Sequence, residues 1–346
     1  MTAANACVVV HAARDLRLET RETPAPGSGD VLIEMKAGGI CGSDLHYYTY
    51  GGFGAIRLRE PMVLGHEVAG TVAGLGEGVT ELQVGQLVAV SPSRPCQSCE
   101  YCLNGQQNHC LNMQFYGSAM PFPHIQGAFQ QKLIAKANQC IPADGLTAAQ
   151  AAMAEPLAVC LHAIRQAGSL VGKTVLVTGC GPIGCLVILA ARRAGAARII
   201  ATDLSDFTLG LAQTCGADDV INIQTDPDAL ARFQDGKGKI DVHLECSGAP
   251  QALASGVDGL RPGGLLIQLG LGGDMQVPMQ KITAKEITLR GSFRFHAEFR
   301  TAVQMMQARL LDVDQLVSHS FDVSEAVKAF EMASDRSCAM KVQLVF

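Results

Sequence analysis

The sequence is short of charge and has no basic excess: 27 Lys and Arg stand against 32 Asp and Glu, a net charge of −5. Without a basic face, nucleic acid is not an expected partner. Long apolar runs are also missing. The longest, residues 183–191, stops at Arg192 and Arg193 and is about half of what a membrane span requires, so no membrane partner is expected. The opening stretch MTAANACVVVHAARD has no basic lead-in and only a short apolar patch. No secretory leader is expected from it, and the cytoplasm is the expected compartment. Internal repeats and low-complexity segments are absent as well. What is present, 48% hydrophobic residues and 37 glycines over 346 positions, suits a compact, turn-rich protein of two domains.

Cysteine, by contrast, is plentiful. Thirteen cysteines without a secretory leader point to a reducing compartment, where clustered thiols bind metal more often than they pair. Cys96, Cys99, Cys102 and Cys110 form a C-x2-C-x2-C-x7-C run in PCQSCEYCLNGQQNHC. Four thiolates fill a tetrahedral zinc and leave no place for water or substrate. The last gap also departs from the bacterial iron–sulfur run. The cluster is therefore expected to be a closed structural clip on a loop.

Up to about residue 145 the chain reads as short strands punctuated by Gly and Pro, including 31–36, 68–72 and 86–90, with no helical period of any length. Later, strand and helix alternate: TVLVTG, CGPIGCLVILAARRAGA, RIIATD, SDFTLGLAQTCGA, then the strands DVINI, DVHLECSG and GGLLIQLG. Such alternation predicts an α/β domain with a parallel sheet covered on both faces. Helices are expected near 298–310 and 323–333, before a last strand, AMKVQLVF, that returns to the first domain. The expected domains are thus a β-rich catalytic unit over 1–150, completed by 295–346, and a doubly wound cofactor unit over 151–294.

Gly179, Gly181 and Gly184, with Pro182 and Ile183 among them, form a G-x-G-x-x-G between a predicted strand and a predicted helix. A pyrophosphate can approach such a turn and sit on the free N–H groups of the helix. Asp203 follows at the end of the next strand. An acid there can hold ribose hydroxyls and repels a 2′-phosphate, which favours NAD, while neutral Thr208 leaves NADP use open. The plainer role for Asp203 is to cap the second helix.

Two quieter stretches carry metal-ligand chemistry. GGICGSDLHYY holds Cys41, Ser43, Asp44, His46 and Tyr47, and VLGHEVAG holds His66 beside Glu67. A third, MAEPLAVCLHA, places Glu155 ahead of a helix. Thiolate, imidazole and carboxylate suit a catalytic zinc with an open fourth position. Taken singly, each has a bland alternative: a packed thiol, or an acid at a helix start. His124, His162, His243 and His319 have no ligand partners at useful spacing and read as ordinary residues.

In that order along nearly the whole chain, GGICGSDLHYY, PMVLGHEVAGTV, the four cysteines, EPLAV and GPIG resemble the zinc-dependent medium-chain alcohol/polyol dehydrogenases. That family pairs a GroES-like catalytic domain with a Rossmann cofactor domain. The sorbitol-dehydrogenase branch is most similar, because Glu155 stands where simple alcohol dehydrogenases carry a third zinc cysteine. LRGSFRFHAEF (289–299) is similar to the L-idonate 5-dehydrogenases. The resemblance implies Cys41, His66 and either Glu67 or Glu155 on a catalytic zinc, besides the structural zinc. It implies a proton path from Ser43 towards His46, and substrate contacts from Tyr47, Glu155, Arg294 and Phe295. At the cofactor it implies Gly179, Gly181, Pro182, Ile183, Gly184, Asp203, Leu269, Leu271 and Phe293.

The implied reaction oxidises a secondary hydroxyl, with hydride passing to NAD(P). An aldonate such as L-idonate, giving 5-dehydro-D-gluconate, is the first expected substrate, and sorbitol or xylitol the second. Phe295 replaces the Tyr usual in sorbitol dehydrogenases, consistent with a different chain-end group. A homodimer or homotetramer is expected, with residues 287–293 as an edge strand at the two-fold. A non-catalytic zinc- and nucleotide-binding protein would show a degraded set; here Cys41, Ser43, His46, His66, Glu67 and Glu155 are all present.

Overall fold

A computed structural model describes residues 4–23 and 25–346. Two sheets dominate it. The first has seven strands, running Cys140–Pro142, Leu87–Val90, Glu67–Leu75, Asp30–Gly39, Lys341–Val345 and Val317–Asp322, with Lys132–Lys136 also paired to Asp30–Gly39. Along Asp30–Gly39, Val31, Ile33 and Met35 are buried while Glu34 is exposed. This is the period of two that a half-covered strand requires. The C-terminal strand Lys341–Val345 lies antiparallel to Asp30–Gly39, which carries Lys341 into the interior of the first sheet.

The second sheet is wholly parallel, in the order Asp219–Asn222, Arg198–Asp203, Thr174–Thr178, Ile240–Glu245, Leu260–Gln268, Thr288–Gly291. Counted in chain order, that arrangement is 3-2-1-4-5-6, the Rossmann order, in which a dinucleotide binds at the carboxyl ends of the strands where the order reverses. Val175, Leu176 and Val177 are fully buried on successive positions. Both faces of this strand are covered, which is why TVLVTG shows no alternation. A continuous core runs from Ala37 and Ala69 through Leu157 and Ala158 to Val175, Phe295 and Phe299. The helix Ala154–Ala167 is the shared wall between the sheets. No helix among the described residues is long and apolar enough to cross a membrane.

One expectation fails. The first 145 residues do contain a helix of more than two turns, Gly42–Tyr50. Its inward face holds Asp44, Tyr47 and Tyr48, so a buried acid interrupts the apolar stripe by which a helix is read. The usable signals lie at its ends: Asp44 reaches back to the Cys41 N–H at 3.0 Å, and Gly51 closes the helix at φ 67°.

Candidate active site

Cys41 sits at the mouth of the helix Gly42–Tyr50, and His66 immediately precedes the strand that opens with Glu67. Strand register places Gly39 opposite Glu67. A Cβ at 39 would collide with the Glu67 carboxylate, so glycine is the residue that leaves room for it. One ligand atom each from Cys41, His66 and Glu67 lies within 4.8 Å of the others. Burial, with Glu67 adding, pushes the Cys41 thiol up to about 12. Glu155 stands in the first turn of Ala154–Ala167 rather than ahead of it. Burial pushes its carboxyl up to about 8, with His66 opposing and Glu67 and Cys41 adding to the rise.

Two further residues organise this cluster: Asp44, from the same stretch as Cys41, and Lys341, which was not foreseen from the sequence. Asp44 is 0% exposed and accepts N–H bonds from Cys41 at 3.0 Å and Gly65 at 3.1 Å. Its Oδ1 lies 3.7 Å from His66 Nδ1. One carboxylate therefore ties the Cys41 segment to the His66 segment. Its signal was the capping-box spacing from Cys41. Lys341 places Nζ 2.8 and 2.7 Å from the two Glu67 oxygens and 3.2 Å from the Ile40 carbonyl. A lysine inside the apolar strand AMKVQLVF was its only trace in the sequence.

A thiol, an imidazole and a carboxylate surround one point, with the buried side chain of Asp44 beside them. That donor set fits a zinc ion, which ionises the thiol as it binds. The four-cysteine run forms a second set, with Cys96, Cys99, Cys102 and Cys110 Sγ atoms all within 4.8 Å. Backbone N–H groups of Cys96 and Asn112 point at Cys110 Sγ, at 3.2 and 3.4 Å, as suits thiolates. This set also fits zinc, in a closed site.

At the nucleotide turn, a Cβ on Gly184 would overlap the Gly179 carbonyl, so the third glycine allows helix Pro182–Arg193 to pack close. Asp203 binds backbone on both sides. Its Oδ2 accepts from Cys180 N at 2.5 Å, and its Oδ1 from Leu204 N at 2.7 Å and Ser205 N at 3.1 Å. It thus anchors the glycine turn and the entry to the second helix together. Beyond the strand Leu260–Gln268, a groove of about 370 Å³ is lined by Gln268, Gly270, Leu271 and Leu289; Leu271 is 78% exposed there and Leu269 is half-buried. Glu245, a residue not foreseen, collects the N–H groups of Ser247 at 2.8 Å and Gly248 at 2.9 Å and the Gln268 amide at 2.6 Å. It shapes the loops beside that groove.

Ser43 and His46 share one face of their helix, His46 exposed and Ser43 half-buried. Partial loss of solvent around the ring lowers the His46 pKa, with Arg336 contributing. Tyr47 is buried, and its hydroxyl accepts the Ala119 N–H at 3.0 Å. Arg294 is half-buried, its guanidinium 4.2 Å from the Phe115 ring centre and 5.0 Å from that of Phe293. Among the described residues it forms no ion pair. Its backbone is left-handed, at φ 55°. Phe295 is 1% exposed and stacks on Phe299 at 5.6 Å, so its ring packs into the core. His162 also proves less ordinary than expected, since Glu298 Oε1 lies 3.1 Å from its Nδ1 and 2.8 Å from Arg165.

The alcohol dehydrogenase GroES-like domain family matches residues 27–145, and the zinc-binding dehydrogenase family matches residues 182–308. L-Idonate 5-dehydrogenase (NAD(P)(+)) of Escherichia coli K12 is 42% identical over 329 residues, 94% of this chain and 95% of its own. The chain belongs to the zinc-binding medium-chain alcohol dehydrogenases. Human sorbitol dehydrogenase is 38% identical to this dehydrogenase over 94% of the chain and 92% of its own length. The crystal structure of L-idonate 5-dehydrogenase from Escherichia coli matches this dehydrogenase with a TM-score of 0.95 and 40% identity, covering 100% of this chain and 99% of that one. As a member of this family it is an oxidoreductase of CH–OH groups that uses zinc and NAD(P).

Proposed function

We propose that this dehydrogenase oxidises the C5 hydroxyl of L-idonate to a ketone, giving 5-dehydro-D-gluconate, with NAD as the favoured acceptor and NADP use left open. The observation that carries the aldonate reading is Arg294, a half-buried guanidinium that rests on aromatic faces and forms no ion pair among the described residues. A planar fork of this kind suits a substrate carboxylate. The likeness to an L-idonate 5-dehydrogenase over 94% of the chain supports the same choice.

We assign Cys41, His66 and Glu67 to the catalytic zinc. Glu67 is preferred to Glu155 because its carboxylate belongs to the set within 4.8 Å. Bound there, zinc supplies Lewis acidity to the substrate oxygen, and NAD supplies the hydride acceptor. Glu155 lies beside this set, where a protonated carboxyl can hold water or a substrate hydroxyl. The Ser43 hydroxyl, two positions beyond Cys41, takes the substrate proton. His46, three positions further on the same helix face, hands it to solvent. Cys96, Cys99, Cys102 and Cys110 hold a structural zinc. Residues 1–150 with 295–346 act as the catalytic unit and 151–294 as the cofactor unit. The four exposed residues of Thr288–Gly291 form an edge at which a homodimer or homotetramer can join its sheets, and the cytoplasm is the assigned compartment.

A panel of L-idonate, sorbitol and xylitol, each with NAD and NADP, tests the reading. The expected result is a kcat/KM for L-idonate at least about tenfold above either polyol, a difference of roughly 1.4 kcal/mol. Equal or better turnover of sorbitol would assign the enzyme to the polyols instead.

A further inference from the structure

The lobe made by the four cysteines lies close to the substrate arginine. Asn108 sits between Cys102 and Cys110 and is 8% exposed. Its Nδ2 donates to the Phe293 carbonyl at 3.1 Å, across 185 residues of sequence. The next residue, His109, stacks on the Phe293 ring at 6.1 Å with the planes 22° apart. The Phe293 carbonyl belongs to the same peptide unit as the Arg294 nitrogen. Whatever holds that carbonyl fixes the peptide plane on one side of the Arg294 N–Cα bond.

The rotation about that bond is the unusual one, φ 55° at a residue with a long side chain. Left-handed backbone is disfavoured at non-glycine positions and persists when its surroundings hold it. Here the segment is pinned at both ends. Upstream stands Asn108. Downstream, the His296 N–H donates to Glu298 Oε2 at 3.0 Å, while Arg165 and His162 hold the other Glu298 oxygen. Between the pins, the guanidinium rests over Phe115, and the Phe115 ring lies 5.5 Å from the His66 ring. Placement of the arginine is thus set by contacts that begin in the cysteine lobe and end beside the candidate metal ligands.

We propose that the four-cysteine lobe has a second task beyond holding a loop: Asn108 is a positioning residue for substrate recognition, fixing the Phe293–Arg294 peptide so that Arg294 points into the site. The inference rests on Arg294 as the substrate-binding arginine. Loss of the Asn108 bond leaves the chemistry in place and lets the guanidinium wander. Substrate affinity falls while turnover at saturation holds.

The test compares Asn108→Ala and Arg294→Ala, singly and together, on the zinc-loaded enzyme with L-idonate and with sorbitol. Asn108→Ala is expected to raise the substrate KM by on the order of tenfold, the size of one lost neutral hydrogen bond. The change in kcat stays below about threefold, and zinc content is that of the parent. In the Arg294→Ala background, Asn108→Ala adds no further rise, because the group it positions is gone. Hydrogen exchange gives a readout that needs no substrate: amides within 292–298 exchange faster in Asn108→Ala. If that variant does not fold, Asn108→Asp keeps the size and removes the donor. An unchanged KM, an equal rise in the Arg294→Ala background, or unchanged exchange at 292–298 overturns the proposal. Turnover of neither L-idonate nor sorbitol overturns the substrate reading alone, and the exchange result then decides the role of Asn108.

Discussion

Replacing Asp44 with asparagine keeps the shape of the side chain and removes its charge. Asp44 is fully buried and receives the N–H groups of Cys41 at 3.0 Å and Gly65 at 3.1 Å, one on each oxygen. Hydrogen bonds to a charged acceptor contribute about 1.5–3 kcal/mol each. Asparagine offers a single carbonyl oxygen, so one of the two N–H groups must face an NH2 and lose its partner. The expected loss is about 2–3 kcal/mol, a sizeable part of a native stability of about 5–15 kcal/mol.

A second effect follows from the 3.7 Å between Asp44 Oδ1 and His66 Nδ1. At that distance the carboxylate is too far to hydrogen-bond the ring but favours its positive charge and, through the Gly65 N–H, holds its segment, so its loss is expected to weaken metal binding by up to about tenfold. Thermal unfolding at saturating zinc measures the first effect, and competition with a chelator of known affinity the second. A lower Tm with parental zinc affinity would leave Asp44 as a tie between segments only. Parental values in both assays would refute the reasoning.

Glu298 predicts an acid-side dependence. Burial alone would raise its carboxyl, but the hydrogen bonds from His162 and the His296 N–H outweigh burial and hold it at about 2. A depressed pKa stabilises the fold above the unfolded value of about 4.5, and that contribution, on the order of 3 kcal/mol, fades as pH falls from about 4.5 through 2. Glu298→Gln is therefore expected to lower Tm at pH 7 and to differ less from the parent at pH 3; an equal gap at both would contradict the pairing. Cys41→Ser is expected to lose turnover and the zinc of that site while NADH binding, read by fluorescence, stays within about threefold of the parent. Near-normal turnover in Cys41→Ser would remove zinc from the chemistry.

Reading the chain went furthest where information is local and periodic. TVLVTG, the G-x-G-x-x-G and Asp203 each announced a strand, a turn and an acid within a few residues, and a parallel sheet followed from the alternation of strand and helix, while its strand order came from the structure. The four cysteines announced their own cluster, because thiols at such spacing converge on one point. Gly42–Tyr50 escaped because its inward face buries an acid and two tyrosines, a composition no hydrophobic period describes.

The active-site neighbours lie further apart in the chain. Lys341 reaches Glu67 across 274 residues and Asn108 reaches Phe293 across 185, and nothing near either residue names its partner. Glu67 and Glu155 could not be ranked as ligands from spacing, since only folding places one of them among the Cys41 and His66 ligand atoms. Nothing in the sequence showed that the Phe295 ring would stack on Phe299, since neighbouring side chains on one segment point to different surroundings. The sequence by itself determined the family, the two-domain plan and the kinds of ligand present, because propensity, period and ligand spacing act between near neighbours. Only the tertiary structure brought the Glu67 carboxylate near Cys41 and His66, set Lys341 against it and joined Asn108 to Phe293, because those depend on distances between segments that the chain brings together only when it folds.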